Sequence, residues 1–264
     1  MEITVQDVIN AIVLPKLSSE ATVDKLLFGD PETIVTGISV TFLATQEVIE
    51  QSIKLGNNFI ITHEGIFYSH IGNTEFLKSD PVFKQKLHLI ESNSLSIFRF
   101  HDNIHRYQPD GIMAGLLKRL SLDIYEVNRS QTYSIIEIPK KSLLEIIQDI
   151  KKSLDIDYIR YMGDLSMECR RVGILVGYRG TGEMIIPLFH KESLDLVIYG
   201  EGPEWEAPEY VRDAIRQGNH KALIVLGHAE SEKPGMEYVA NLIKLKFPSI
   251  PVHYIDLEPL FCVY

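Results

Sequence analysis

Residues 57–70 read "NNFIITHEGIFYSH", an apolar run that ends in a histidine and a glutamate. Residues 59–61 are aromatic or β-branched, which is typical of a short strand covered on both faces. His63 and Glu64 come directly after this run. In an open α/β sheet the carboxyl ends of the strands face the functional crevice. The stretch therefore predicts a buried strand that delivers an imidazole and a carboxylate to such an edge.

The composition narrows the classes of protein that the chain can belong to. It has 264 residues, is 45% hydrophobic and carries a formal net charge of −10, with no dense basic stripe. This is enough for one large or two small cores, and the acidic balance argues against nucleic acid as a partner. Two widely spaced cysteines, Cys169 and Cys262, imply no disulfide framework. With no signal-peptide pattern and no membrane-length apolar run, we predict a cytoplasmic protein without a membrane partner.

The rest of the chain alternates between short apolar strands and amphipathic helices. Predicted helices begin after Thr4 and Asp80, both good N-cap residues, and the second is followed by Pro81. Alternation of this kind predicts an α/β fold with largely parallel or mixed sheets. Eight or nine strands exceed one small sheet, so we expect two α/β lobes with a boundary within 122–132. We place the lobes at 1–128 and 129–264, with the final segment able to return to the first lobe.

Ionisable side chains follow three of the predicted strands. The six candidate ligands are His63, Glu64, His101, His105, His228 and Glu232. Imidazole and carboxylate together suit Zn²⁺, Mn²⁺, Fe²⁺, Co²⁺ or Ni²⁺. Six ligands exceed the needs of one tetrahedral ion and suit two ions about 3.5–4 Å apart.

Plainer interpretations exist for each of these residues taken alone. A histidine at a strand end is often a polar cap, and Glu232 in a first helical turn would stabilise the helix dipole. Asp102 has three possible interpretations, namely a ligand, an orienting partner of His101 and a solvated loop residue. Ser231 is interpreted as a helix N-cap, and the glycine-rich segment 177–183 as a tight turn. The agreement of three strand ends favours the metal hypothesis over these alternatives.

At these positions the chain resembles the dinuclear-metal family named for the yeast NGG-one-interacting factor three. Bacterial members of this family are often called GTP cyclohydrolase 1 type 2 homologues. The family motifs "ITHH", "HTNLD" and "GHYESE" correspond to "ITHE" (61–64), "FHDNIH" (100–105) and "GHAESEKPGMEYVA" (227–240). The glycine turn and a second strand end correspond to "GTGE" (180–183) and "YGE" (199–201), so the resemblance spans nearly the whole chain.

Two positions depart from the family pattern, and they do so in opposite directions. Glu64 replaces the second histidine of the family pair, and His105 replaces the aspartate that ends the second motif. The total of four imidazoles and two carboxylates is kept. We interpret this as a rearranged metal site.

The resemblance implies two α/β lobes with two metal ions in the crevice between them and a hexamer of identical chains. It also implies a metal-dependent hydrolase. A metal-bridging hydroxide would attack a ring C=N carbon or a phosphoester of a small anionic, nucleotide-like substrate. Asp102 or Tyr107 would assist by orienting a ligand or handling a proton. The alternatives are a non-catalytic scaffold or regulator in which the ions clamp the two lobes, and a protein without metal.

Overall fold

The chain divides into two compact α/β units in a computed structural model that describes residues 2–15 and 21–262. The first unit comprises the described residues up to Gly111 together with Met236–Cys262, and the second comprises Ile112–Gly235. Each unit is built on one mixed sheet. The predicted fold class, two α/β lobes with mixed sheets, is therefore confirmed. Among the described residues no helix is both long and apolar enough to cross a membrane.

The sheet of the first unit has five strands in the order β1-β4-β3-β2-β11. β1 runs antiparallel to β4 and the other neighbours are parallel. The strands are β1 (Lys25–Phe28), β2 (Ile38–Thr41), β3 (Phe59–Thr62), β4 (Ser96–Arg99) and β11 (Val252–Tyr254). Every residue of β2, β3 and β4 is buried, as expected of parallel strands covered on both faces.

The register of these central strands determines where the polar residues lie. Thr41 pairs with Thr62, and Thr62 pairs with Arg99. The last residues of three parallel strands are therefore in line. The segments that follow them, beginning at Phe42, His63 and Phe100, leave the sheet at one edge.

The α-helices described before the chain enters the second unit are α1 (Val5–Ile12), α2 (Gln46–Lys54), α3 (Pro81–Ser92) and α4 (Asp102–His105). Thr4 caps α1 in a capping box with Asp7. Asp80 caps α3 by accepting from the backbone N–H of Phe83, 2.9 Å away. Both predicted caps are confirmed, because a side-chain oxygen satisfies an N–H that has no intrahelical partner.

The second unit contains a six-stranded sheet in the order β5-β6-β8-β9-β10-β7. Its strands are β5 (Glu126–Arg129), β6 (Ser134–Ser142), β7 (Arg160–Met162), β8 (Glu168–Leu175), β9 (Leu196–Tyr199) and β10 (Ala222–Val225). β8, β9 and β10 run parallel, and the other pairs are antiparallel. The helices of this half of the chain are α5 (Gly111–Arg119), α6 (Leu143–Leu154), α7 (Gly182–Lys191), α8 (Ala207–Arg216) and α9 (His228–Lys246), and the chain re-enters the first unit within α9.

The predicted start of the last helix was wrong. Ser231 was expected to be its N-cap, but α9 already begins at His228. The Ser231 hydroxyl instead accepts from the backbone N–H of Gly177, 2.9 Å away, and donates to the carbonyl of His228. Ser231 therefore contacts the turn after β8. Its local sequence alone would have favoured a role as helix cap.

Candidate metal centre

Three histidines converge at the edge where β3 and β4 end. His63 follows β3 and is fully buried. His101 stands just before the single-turn helix α4, and His105 is the last residue of that helix. The ring centroids lie 4.5 Å apart for His63 and His101, 5.2 Å for His63 and His105, and 5.3 Å for His101 and His105. One ligand nitrogen from each ring lies within 4.8 Å of the other two.

Each of the three rings is held through its Nδ1 atom by a group that only accepts hydrogen bonds. The acceptor is the carbonyl of Phe100 for His63 (3.1 Å) and the carboxylate of Asp102 for His101 (2.9 Å). For His105 it is the carboxylate of Asp110, also at 2.9 Å. In a neutral imidazole with the proton on Nδ1, Nε2 carries the lone pair that binds metal. A ligand histidine in a metalloprotein commonly donates its other N–H to a carbonyl or carboxylate in this way.

The position of α4 depends on one carboxylate that precedes β1. Asp24 accepts from the backbone N–H groups of His101, Asp102 and Asn103, at 2.6, 2.8 and 2.8 Å. A four-residue helix has few internal hydrogen bonds, so an external acceptor for its first N–H groups matters more than in a long helix. Asp24 therefore fixes the turn that presents His101 and His105. Its role is not evident from the sequence, because it lies 77 positions before His101.

Glu64 lies next to the three histidines and is paired with a buried arginine. Its Oε1 is 3.5 Å from Nε2 of His101, and its Oε2 is 2.9 Å from Nη2 of Arg99, whose side chain is 3% exposed. Burial acts to raise the pKa of Glu64, but the hydrogen bond with His101 and the charges of His101, His63 and Arg99 outweigh it. They lower the pKa to about 2. Glu64 is therefore a carboxylate at neutral pH.

His70 is a further candidate ligand, in the segment that follows Glu64. Its Nδ1 lies 3.3 Å from Oε2 of Glu64, and the group formed by Glu64, His70 and His101 also has the spacing of metal ligands. Its side chain is 55% exposed. The spacing from Glu64 follows no ligand motif, and the loop between them brings the two together.

The second unit contributes its own pair. His228 and Glu232 face each other one turn apart on α9, with Nε2 of His228 3.2 Å from Oε2 of Glu232. Nδ1 of His228 lies 3.0 Å from a carboxylate oxygen of Glu201, which follows β9. The predicted i, i+4 pair is thus formed, and a carboxylate again accepts at Nδ1. The expectation that this pair joins the three histidines in one centre stays a prediction.

The glycine-rich turn after β8 makes room for this pair. Gly177 has a φ of 58°, in the left-handed region that favours glycine. A Cβ atom there would lie 2.2 Å from Oε1 of Glu232. The glycine in this turn therefore allows the buried carboxylate of Glu232 to pack against the backbone.

The two residues proposed to assist catalysis occupy different settings. Besides orienting His101, Asp102 accepts from the backbone N–H of Val23 at 2.8 Å. Tyr107 donates its hydroxyl hydrogen bond to the carbonyl of Ile12, and burial together with the charge of Tyr238 raises its pKa to about 12. The contact of Asp102 is that of an orienting partner. Proton transfer by Asp102 or Tyr107 stays a prediction.

The chemistry of these donors fits a borderline divalent cation. Neutral imidazole nitrogens and a nearby carboxylate suit Zn²⁺, Mn²⁺, Fe²⁺, Co²⁺ and Ni²⁺, whereas Ca²⁺ and Mg²⁺ prefer oxygen ligands. His63, His101 and His105 would hold the ion, since each has Nδ1 engaged by an acceptor. The first unit thus contains a candidate metal centre.

Comparisons with known proteins agree with this architecture. Two relatives named GTP cyclohydrolase 1 type 2 homolog match most of the chain. The one from Clostridium perfringens is 25% identical over 231 residues, covering 85% of this chain and 84% of the relative. The one from Clostridium acetobutylicum is 24% identical over 228 residues, covering 83% and 80%.

Among solved structures, a hypothetical protein from Staphylococcus aureus superposes with a TM-score of 0.78 at 19% identity. A Bacillus cereus protein related to NIF3 gives 0.78 at 15% identity, and each match covers 100% of both chains. At these identities the structures show a shared fold. The model of the family described as Duf34/NIF3 (NGG1p interacting factor 3) matches residues 3–259. The chain therefore belongs to the Duf34/NIF3 family.

Proposed function

We propose that this protein binds divalent metal and acts as a metal-dependent hydrolase on a nucleotide-like or phosphoester substrate. One observation carries the proposal: three neighbouring histidines each have Nδ1 held by a carbonyl or carboxylate. A single anchored histidine is common in protein cores. Three whose ligand nitrogens lie within 4.8 Å of one another form a set of metal donors.

The residues around such a site have different roles. His63, His101 and His105 bind the ion, while Asp102 and Asp110 fix the ring orientation and keep the proton on Nδ1. A bound divalent ion makes water acidic enough to serve as a nucleophile near neutral pH. Glu64, ionised at neutral pH, provides a carboxylate beside that position. This combination supports hydrolysis.

The substrate class comes from the names of the relatives. Those from both Clostridium species are called GTP cyclohydrolase 1 type 2 homologues, so a purine nucleotide is the first substrate to test. Opening of a ring C=N bond and cleavage of a phosphoester are the two reactions we propose. A centre of two ions per chain, with His228 and Glu232 as ligands, belongs to the same proposal, as do a homohexamer and a cytoplasmic location.

The first experiment measures metal content per chain by mass spectrometry, on protein purified without an affinity tag and without chelators. Wild type, His105→Ala and His228→Ala are compared. We expect stoichiometric metal in the wild type and a loss of metal in His105→Ala. A loss in His228→Ala would support the second unit's pair as ligands. A wild type that binds no metal, even after Zn²⁺ or Mn²⁺ is added back, would refute the proposal.

Turnover is then tested with GTP and with a panel of phosphoesters, before and after metal removal. Activity that disappears with the metal and returns on adding it back supports the hydrolase. Metal that raises the melting temperature and preserves assembly, with no turnover of any substrate, would instead favour the scaffold. Light scattering during size-exclusion chromatography tests the hexamer in the same samples.

A further inference from the structure

Arg99 is a buried cation inside the candidate metal centre. It is the last residue of β4, and its side chain is 3% exposed. Its guanidinium donates to the backbone carbonyls of His63 and His70. Nη2 lies 2.9 Å from Oε2 of Glu64 and 3.1 Å from Nδ1 of His70. A guanidinium keeps its charge at every pH at which a protein is folded.

The two groups of candidate ligands in the first unit differ in their relation to this arginine. The group of His63, His101 and His105 has its Nδ1 atoms held by carbonyl and carboxylate acceptors. In the group of Glu64, His70 and His101, two of the three members face the guanidinium within hydrogen-bond distance. Nδ1 of His70 lies 3.1 Å from Nη2 of Arg99 and 3.3 Å from Oε2 of Glu64, so this nitrogen faces the ion pair of Arg99 and Glu64.

We propose that Arg99 is a fixed cation that takes the place of a divalent ion in the Glu64–His70–His101 group. The chain then binds an ion at His63, His101 and His105 and excludes one from the neighbouring group. This inference rests on the proposed metal binding and specifies where in the first unit it occurs.

Charge and position give the physical reason. A divalent ion in the second group would lie within a few ångströms of a charged guanidinium that water barely reaches, and repulsion between such charges is poorly screened. Arg99 cannot lose its proton, and its bonds to two backbone carbonyls hold it in place.

The decisive variant is His70→Ala, because His70 is on an exposed loop and its removal leaves the buried pair of Glu64 and Arg99 in place. Metal-free wild type and His70→Ala are titrated with Zn²⁺ alone by calorimetry, with His105→Ala as the matched histidine control. We expect the same number of ions and the same affinity for wild type and His70→Ala. His105→Ala should lose its ion. Loss of an ion in His70→Ala would overturn the inference.

Removing the arginine tests the converse. Arg99→Met keeps much of the side-chain length without the charge, and we expect it to bind one ion more than the wild type. The double variant Arg99→Met/His70→Ala should lose that additional ion. Electron paramagnetic resonance of bound Mn²⁺ provides a second readout, because an additional ion about 3.5–4 Å from the one at His63, His101 and His105 would couple with it magnetically. The spectrum of Arg99→Met should then differ from that of the wild type.

The outcomes separate this inference from the proposed function. No metal in the wild type refutes the proposed function itself. Metal that requires His105 and is indifferent to His70 supports both. Metal that requires both histidines supports the function and overturns the role of Arg99, as does a folded Arg99→Met that gains no ion. If circular dichroism shows that Arg99→Met does not fold, the comparison of wild type with His70→Ala decides.

Discussion

Asp110 provides the sharpest test of how the protein prepares its histidines for metal. Its carboxylate is 7% exposed and lies 2.9 Å from Nδ1 of His105. Asp110→Asn keeps the shape of the side chain and removes the charge. The amide can still accept one hydrogen bond, but it no longer favours the tautomer with the proton on Nδ1 as strongly, and it draws less electron density into the ring.

The magnitude follows from this geometry. Changes to a group that orients a metal-binding histidine typically weaken metal affinity by about tenfold to a hundredfold, or about 1.4–2.7 kcal/mol. The 2.9 Å contact and the burial of Asp110 place it at the upper end of that range, because water does not readily replace the lost acceptor. His105→Ala removes the ligand itself and should weaken binding further.

Calorimetric titration of metal-free protein with Zn²⁺ at neutral pH measures this effect. Asp213→Asn, the same chemical change at an exposed position on α8, is the matched control and should bind Zn²⁺ like the wild type. The melting temperature of each metal-free variant shows whether the fold survives. A folded Asp110→Asn that binds Zn²⁺ as tightly as the wild type would refute the reasoning that Asp110 prepares His105 for a metal.

Four further predictions concern the scaffold of the two units. Asp24→Ala removes the acceptor of three backbone N–H groups at α4, so we expect a loss of about 1–3 kcal/mol in stability together with weaker Zn²⁺ binding. Asp80→Ala, which uncaps α3, should lower the melting temperature and leave Zn²⁺ binding unchanged. Gly177→Ala should be clearly less stable in urea than Gly218→Ala. Both glycines have positive φ, but an added Cβ has open space at Gly218 and meets a buried α9 carboxylate at Gly177. Burial lowers the pKa of Lys86 from 10.5 to about 8, so the unfolded chain binds more protons between these values. Wild-type stability relative to Lys86→Met should therefore rise with pH over that interval, by roughly 3 kcal/mol, in urea titrations at a series of pH values.

The sequence was sufficient to predict the contacts of residues whose partners are local or lie on neighbouring parallel strands. Thr4 and Asp80 cap helices within their own segment, so the local sequence is sufficient. His63 and His101 each follow an apolar strand. Both strands are buried and run parallel, and parallel strands end at the same edge of a sheet. His105 follows from His101 by a single helical turn. For these histidines, the pattern of strands and helices in the sequence is enough to predict which residues meet.

The expectations that fell short depend on contacts across the fold. Edge strands β1, β5 and β7 were missed, because their exposed and half-exposed residues lack the continuous apolar run of a central strand. Asp24 and Asp110 escaped notice for a related reason. An orienting carboxylate is recognised by its distance to a histidine, and sequence spacing does not give that distance.

Arg99 pairs with Glu64, which is one of the two departures from the family motifs. A glutamate at position 64 satisfies a buried guanidinium that would otherwise be costly, and the guanidinium in turn neutralises that carboxylate. A histidine at position 105 then supplies a third imidazole, with Asp110 behind it as the acceptor. Glu64, already engaged by Arg99, is a weaker competitor for the ion than a free carboxylate. Three histidines are the protein ligands of one kind of catalytic zinc site, which keeps its fourth position for water, whereas structural sites are closed by four protein ligands. The three histidines of the first unit are therefore one reason for proposing a hydrolase.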